Sequence, residues 1–202
     1  MKILRKILFA LSMVVLLGSQ TAMAAADAQF YFDRASSYFN DGNYDKAIKD
    51  YTEAISMNQK FTEAYYNRGQ AYYKKGRFDE AISDYSKVMD MMPKNAEIYN
   101  LRGLAYYKKE RYSEAIEDET MAISLSPTFV AAYHNRGIAY AKSDHYDEAI
   151  ADYTKALALK PDYIDAYFSR GVAYVRKASS DFRRACDKGN RYACDNIKQL
   201  SQ

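Results

Sequence analysis

Five stretches of this chain can be laid over one another without a gap. "YFDRASSYFNDGNYDKAIKDY" is followed by "YYNRGQAYYKKGRFDEAISDY", "YNLRGLAYYKKERYSEAIEDE" and "YHNRGIAYAKSDHYDEAIADY", and "YFSRGVAYVRK" begins a fifth copy. Arg34, Arg68, Arg102, Arg136 and Arg170 are each 34 residues apart, as are Tyr38, Tyr72, Tyr106, Tyr140 and Tyr174. Ala47, Ala81, Ala115 and Ala149 keep the same step. A fixed period of this length restricts the chain to supersecondary units that bury their apolar faces on one another.

One unit can be read from the second copy. Tyr65, Ala71 and Tyr72 flank Gly69 at helical spacing, which predicts a first helix near 62–75. "KKGRFDEA" interrupts it, with Gly76 as the stop and Asp79 placed to cap a second helix that runs to about Met91 before Pro93. Two helices joined by so short a turn pack antiparallel. Recurring in register from about Ala28 onward, this pattern resembles the tetratricopeptide repeat. The resemblance implies an all-α chain, a right-handed superhelical solenoid of antiparallel helix hairpins with a C-terminal capping helix. Repeats are expected over 28–61, 62–95, 96–129 and 130–163, then a shortened fifth over 164–189 and the capping helix over 190–202.

The fifth copy is shortened because Ala178, Phe182 and Ala185 reproduce the spacing of Ala149, Tyr153 and Ala156 five residues early. This predicts a truncated turn, a short second helix capped by Ser179 or Ser180, and a stop at Gly189. Gly69, Gly103, Gly137 and Gly171 lie mid-helix, where each costs about 1 kcal/mol relative to alanine. The compensating gain is close approach of the paired helices, with Ala81, Ala115 and Ala149 expected opposite.

Each first helix has a second face. In this family that face lines the concave groove, so the resemblance implies a partner-binding column of Phe32, Tyr66, Asn100, His134 and Phe168, and a second of Phe39, Tyr73 and Tyr107 with Gln70 between. Acids Glu63, Glu97 and Asp165 recur at one rim, and bases Lys74, Lys108, Lys142 and Arg176 at the other. Packing between repeats and docking of a peptide or helix are both open to these aromatics. Some cytosolic relatives grip a partner's C-terminal carboxylate with a Lys/Asn/Asn/Lys/Arg clamp. The matching positions, for example Phe32, Ser36, Asn67, Glu97 and Leu101, do not reproduce it in any register. Glu119 stands where other copies have Tyr51, Tyr85 and Tyr153; a partly exposed carboxylate is the first expectation, a loosened repeat or a charge paired across the groove the alternative.

The first 24 residues read as a cleavable signal peptide: Lys2, Arg5 and Lys6, an apolar run from Ile7 to Leu17, and an exit at Ala24 or Ala26. Eleven apolar residues reach about half-way across a ~30 Å hydrocarbon layer, so no membrane span is expected once the leader is cleaved. The chain has 29 basic and 26 acidic side chains; without the leader's three bases the charges balance. That disfavours a nucleic-acid partner, which needs a concentrated basic face. Export to a periplasm or beyond is expected, and with it an oxidising environment. Cys186 and Cys194 would be about 12 Å apart on one helix, but a break at Gly189-Asn190 lets them meet about a turn. "ACDKGNRYAC" also resembles the paired-cysteine hairpins of Sel1-like repeat proteins, and a Cys186–Cys194 disulfide is expected. No phosphate loop, nucleophile elbow or metal-ligand cluster is present in the sequence. His134 lies in an aromatic column and His145 in a turn. These residues point to a non-enzymatic interaction scaffold of the cell envelope for a protein or peptide, without cofactor or metal; the alternatives are a self-associating structural stack and, as the weaker one, a small-ligand-binding or enzymatic envelope protein.

Overall fold

The computed structural model describes residues 26–200, and every regular element among them is a helix. The expected signal peptide lies outside the described residues. Helix α1 covers 26–40, α2 Tyr44–Met57, α3 Thr62–Lys74, α4 Phe78–Met91, α5 Ala96–Lys108, α6 Tyr112–Leu125, α7 Val130–Lys142, α8 Tyr146–Leu159, α9 Ile164–Asp187 and α10 Arg191–Leu200. No helix of the described residues is long and apolar enough to cross a membrane.

The chain divides into two compact units, up to Pro93 and from Lys94. In the first, α2 packs on α3 and α3 on α4. Its core holds Ala35, Ala47, Tyr51, Ala54, Ile55 and Ala64, with Phe32, Phe39 and Phe61 packed against them. In the second unit the chain zigzags from α5 to α10, each helix packing on the next, and the first helices also touch, α5 on α7 and α7 on α9. Tyr133, Ala156, Leu157 and Ala166 form one core cluster there; Ala149, Tyr153 and Ala173 form another.

What ends each first helix is a residue with positive φ: Gly42 at 75°, Gly76 at 74°, Glu110 at 59° and Asp144 at 63°, again 34 apart. Beside it the backbone closes a six-to-one hydrogen bond, as from Arg77 N to Tyr72 O at 2.9 Å and from His145 N to Tyr140 O at 2.9 Å. One period later stands Ala178, where the other copies have the glycine, glutamate or aspartate that takes the left-handed conformation. The chain does not turn there. The expected short second helix in the fifth copy is thus corrected: α9 runs unbroken for 24 residues, with Ser179 and Ser180 inside it. The turn comes at Gly189, φ 92°, and Asn190 Oδ1 accepts from the amide of Ala193 at 3.1 Å to start α10. Asp79 is also re-placed: α4 begins at Phe78 after Arg77, so Asp79 lies in the first turn, where a carboxylate favours the helix dipole.

The glycines serve close approach, but not to the alanines. A Cβ on Gly69 would lie 2.8 Å from the Tyr85 ring, and one on Gly137 2.7 Å from Tyr153. On Gly103 it would meet Glu119 Oε1 at 3.0 Å, and on Gly171 nothing within 4 Å. The missing side chain makes room for the large residue of the second helix.

Candidate functional site on the inner face of the first helices

A ladder of ion pairs holds each hairpin so that its inner face is fixed. Arg68 forks onto Asp84 at 2.7 and 2.8 Å, Arg102 onto Asp118 at 2.8 Å twice, and Arg136 onto Asp152 at 2.7 and 2.8 Å. Arg34 and Asp50 make the same pair. Arg68 also donates to Thr52 of α2, and Arg136 to Thr120 of α6, each at 3.0 Å, so one guanidinium ties a hairpin to the helix before it. Burial pushes the carboxyls of Asp84 and Asp118 upward, and the facing guanidinium pulls them back. The arginine period by itself assigns these side chains no role. The signal was there: arginine and aspartate recur in step with a constant offset of 16 residues.

The expected inner columns divide by environment. In the second column Phe39 packs edge-on to Tyr44 at 5.4 Å, Tyr73 to Phe78 at 5.4 Å, and Tyr107 lies tilted on Tyr112 at 5.7 Å. These aromatics are half-buried inside their own hairpins. In the first column Phe32 lies against Phe61 and Tyr51, with ring centroids at 4.8 and 5.7 Å. Tyr66 and Gln70 are half-buried on α3. Asn100 and His134 are buried, whereas Phe168 is 74% exposed. The rim charges Glu63, Lys74, Glu97, Lys108, Lys142, Asp165 and Arg176 are all exposed.

Two buried polar groups break the aromatic run in the second unit. Glu119 is 1% exposed, so the expectation of a partly exposed carboxylate is overturned. It occupies the space over Gly103 that a tyrosine ring fills elsewhere, and Asn100 Nδ2 donates to both its oxygens at 2.8 Å. Burial drives its pKa up to about 9, against the opposing hydrogen bonds of Asn100 and Asn135, which favours the protonated form in the fold. His134 is bracketed by the Tyr163 hydroxyl at Nδ1, 3.1 Å, and Ser169 Oγ at Nε2, 3.2 Å. Its ring lies 4.9 Å from that of Tyr163. Burial lowers its pKa, with Asp165 partly opposing.

Beyond His134 the inner face opens into a cleft of about 270 Å³ between α7 and α9. Tyr153 of α8 contributes to its wall, Ile138 and Ala141 form the α7 side, and Phe168 and Val172 the α9 side. Lys142 and Arg176 are its charged lining residues. It is an apolar recess bordered by two bases, with Ser169, the partner of His134 Nε2, also in its lining.

A sequence profile described as "TPR repeat" matches residues 69–110, 103–144 and 145–177, more than half of the chain, and another described as "Tetratricopeptide repeat" matches 32–89. The chain belongs to the tetratricopeptide repeat family. Among solved TPR structures it resembles MamA, with 26% identity over 86% of this chain and 90% of that one and a TM-score of 0.72. It also resembles the first TPR of Spaghetti (RPAP3) bound to the HSP90 peptide SRMEEVD, with 30% identity over 56% of this chain and 90% of that one and a TM-score of 0.55. The first TPR domain of human RPAP3 matches at 30% identity, 59% and 94% coverage and a TM-score of 0.58. No curated protein sequence matches the chain. Past the matched repeats, this TPR chain closes with a Cys186–Cys194 disulfide, Cα atoms 4.9 Å apart, joining the end of α9 to α10.

Proposed function

We propose that this TPR chain is a non-enzymatic interaction module of the cell envelope, exported by its N-terminal leader, that holds a segment of a protein partner on the inner face of its first helices. The observation that carries this reading is the α7–α9 cleft. It is apolar, it lies on the face where the family resemblance puts the groove, and Lys142 and Arg176 border it. A recess of this size takes one large apolar side chain, and the two bases favour an acidic neighbour on the same segment. The partner is thus a peptide or helix with an apolar anchor beside a carboxylate. The first TPR of RPAP3 is bound to an HSP90 peptide whose last four residues, EEVD, are three acids around one valine, which supports peptide capture as the kind of work this chain does. The carboxylate clamp is missing from the sequence, so here the apolar anchor carries more of the affinity.

The test is selection from a displayed peptide library with the chain as bait, then titration of the enriched peptide. Enrichment of aromatic or leucine residues next to Asp or Glu is expected. Ala141→Arg, which fills the cleft, and Lys142→Glu, which reverses its border, each weaken the peptide at least about tenfold. Binding that ignores both substitutions refutes the cleft as the anchor.

A further inference from the structure

Six of the eleven exposed large apolar residues of the described chain lie on the first half of α9: Ile164, Tyr167, Phe168, Val172, Tyr174 and Val175. In the preceding hairpins the corresponding face is covered by a second helix, with Tyr85 over Gly69 and Tyr153 over Gly137. Gly171 has the same register and nothing lies within 4 Å of where its Cβ would be. The reason is the late turn. Gly189 comes 11 residues after the position where the period would have turned the chain, an extension of about 16 Å. Helix α10 has 10 residues, about 15 Å, so it runs back along the extension and stops about level with Ala178. The repeat-length part of α9 is left without a second helix among the described residues.

We infer that a second copy of this chain covers that face, α9 against α9, antiparallel and crossing at Gly171, and so competes with a partner segment for Phe168, Val172 and Arg176 at the α7–α9 cleft. The uncovered side chains expose on the order of 700 Å², near the ~800 Å² each partner buries in a standard interface and above the ~300–600 Å² of a typical monomer's largest apolar patch. The face is also complementary to itself. Antiparallel pairing about Gly171 brings Ile164 level with Ala178 of the second copy, and Tyr167 level with Val175. A two-fold axis across such a pair sets like flanks together, as at the edges of antiparallel coiled coils. Asp165 and Arg176 share one flank, and pairing puts each within about one residue of the other's level in the second copy, 1.5 Å of rise. Two opposite-charge contacts therefore frame the apolar strip. Arg170, close to the crossing point, turns back to donate to Thr154 of α8 at 3.1 Å. Glycine at the crossing lets the two backbones approach.

Sedimentation of the chain from Asp27, disulfide intact, tests this. A dimer that grows with concentration is expected. Val175→Glu, an exposed change outside the cleft, makes it a monomer with unchanged helical circular dichroism. Asp165→Arg weakens the dimer about tenfold, and adding Arg176→Asp restores it. Gly171→Cys forms a cross-linked dimer under mild oxidation. A chain that stays monomeric at every attainable concentration overturns the inference. So does a dimer indifferent to Val175→Glu, or a charge exchange that fails to restore association.

Discussion

At the scale of single residues, Glu119 is the most informative departure from the repeat. A carboxyl fills the volume of a tyrosine ring above Gly103, and Asn100, itself where other copies carry an aromatic or histidine, supplies its hydrogen bonds. The pair is one substitution in two places. In an unfolded chain Glu119 loses its proton near the ordinary 4.5, while in the fold it keeps it to about 9. Between those values the unfolded state binds fewer protons, so stability falls as pH rises, by at most about 1.4 kcal/mol per pH unit, and levels off beyond each limit. Glu119→Gln retains the shape and removes the titration. Urea melts across that range are expected to show the alkaline decline in the parent and its loss in the variant; equal slopes would contradict the assignment. His134 acts with the opposite sign. Its lowered pKa makes it a source of stability above the ordinary histidine range that is lost as pH falls, so the two residues dominate at opposite ends of the profile.

At the scale of elements, one set of contacts is used repeatedly and then withheld. Removing the guanidinium of Arg68 leaves Asp84, 3% exposed, without its forked partner, and Arg68→Ala is expected to cost about 3–5 kcal/mol in chemical denaturation. Arg34→Ala costs less, because the Arg34 side chain is 42% exposed. The glycines separate in the same way. Gly137→Ala forces the buried Tyr153 ring to move and is expected to lower stability by about 1–3 kcal/mol despite better helix propensity. Gly171→Ala meets open space and raises the stability of the dilute monomer by up to about 1 kcal/mol. The hairpins themselves were legible in the sequence, because helix spacing, the stop at Gly76 and Pro93 all agree on the same boundaries. The length of α9 was legible only in part. Apolar spacing alone predicts a short second helix capped by Ser179 or Ser180, whereas the chain stays helical through Ala178, the position at which the other copies turn with positive φ. The ring over Gly69 was not legible either: a missing Cβ announces close approach but does not say what approaches.

At the scale of the whole chain, regularity supplies the frame and its end supplies the special features. The inner columns were legible as positions, but not as surfaces. Tyr73 and Tyr107 spend their rings on Phe78 and Tyr112, while the cleft lies farther along, where Ala141 replaces the column's aromatic residue and leaves space. Small residues opposite large exposed ones mark a recess that a list of aromatics does not. The Cys186–Cys194 bridge closes a short loop and contributes about 2–3 kcal/mol by chain entropy. Reduction is therefore expected to raise amide hydrogen exchange across α10 and the last turns of α9, while the cores around Tyr51 and Tyr133 keep their protection. The claim on which the functional reading turns is that a partner segment anchors between α7 and α9. Backbone amide shift mapping during titration with a library-selected peptide tests it most directly. The reading predicts the largest changes at Ile138, Ala141, Val172 and Arg176; changes confined to the outer faces of α6 and α8 would contradict it.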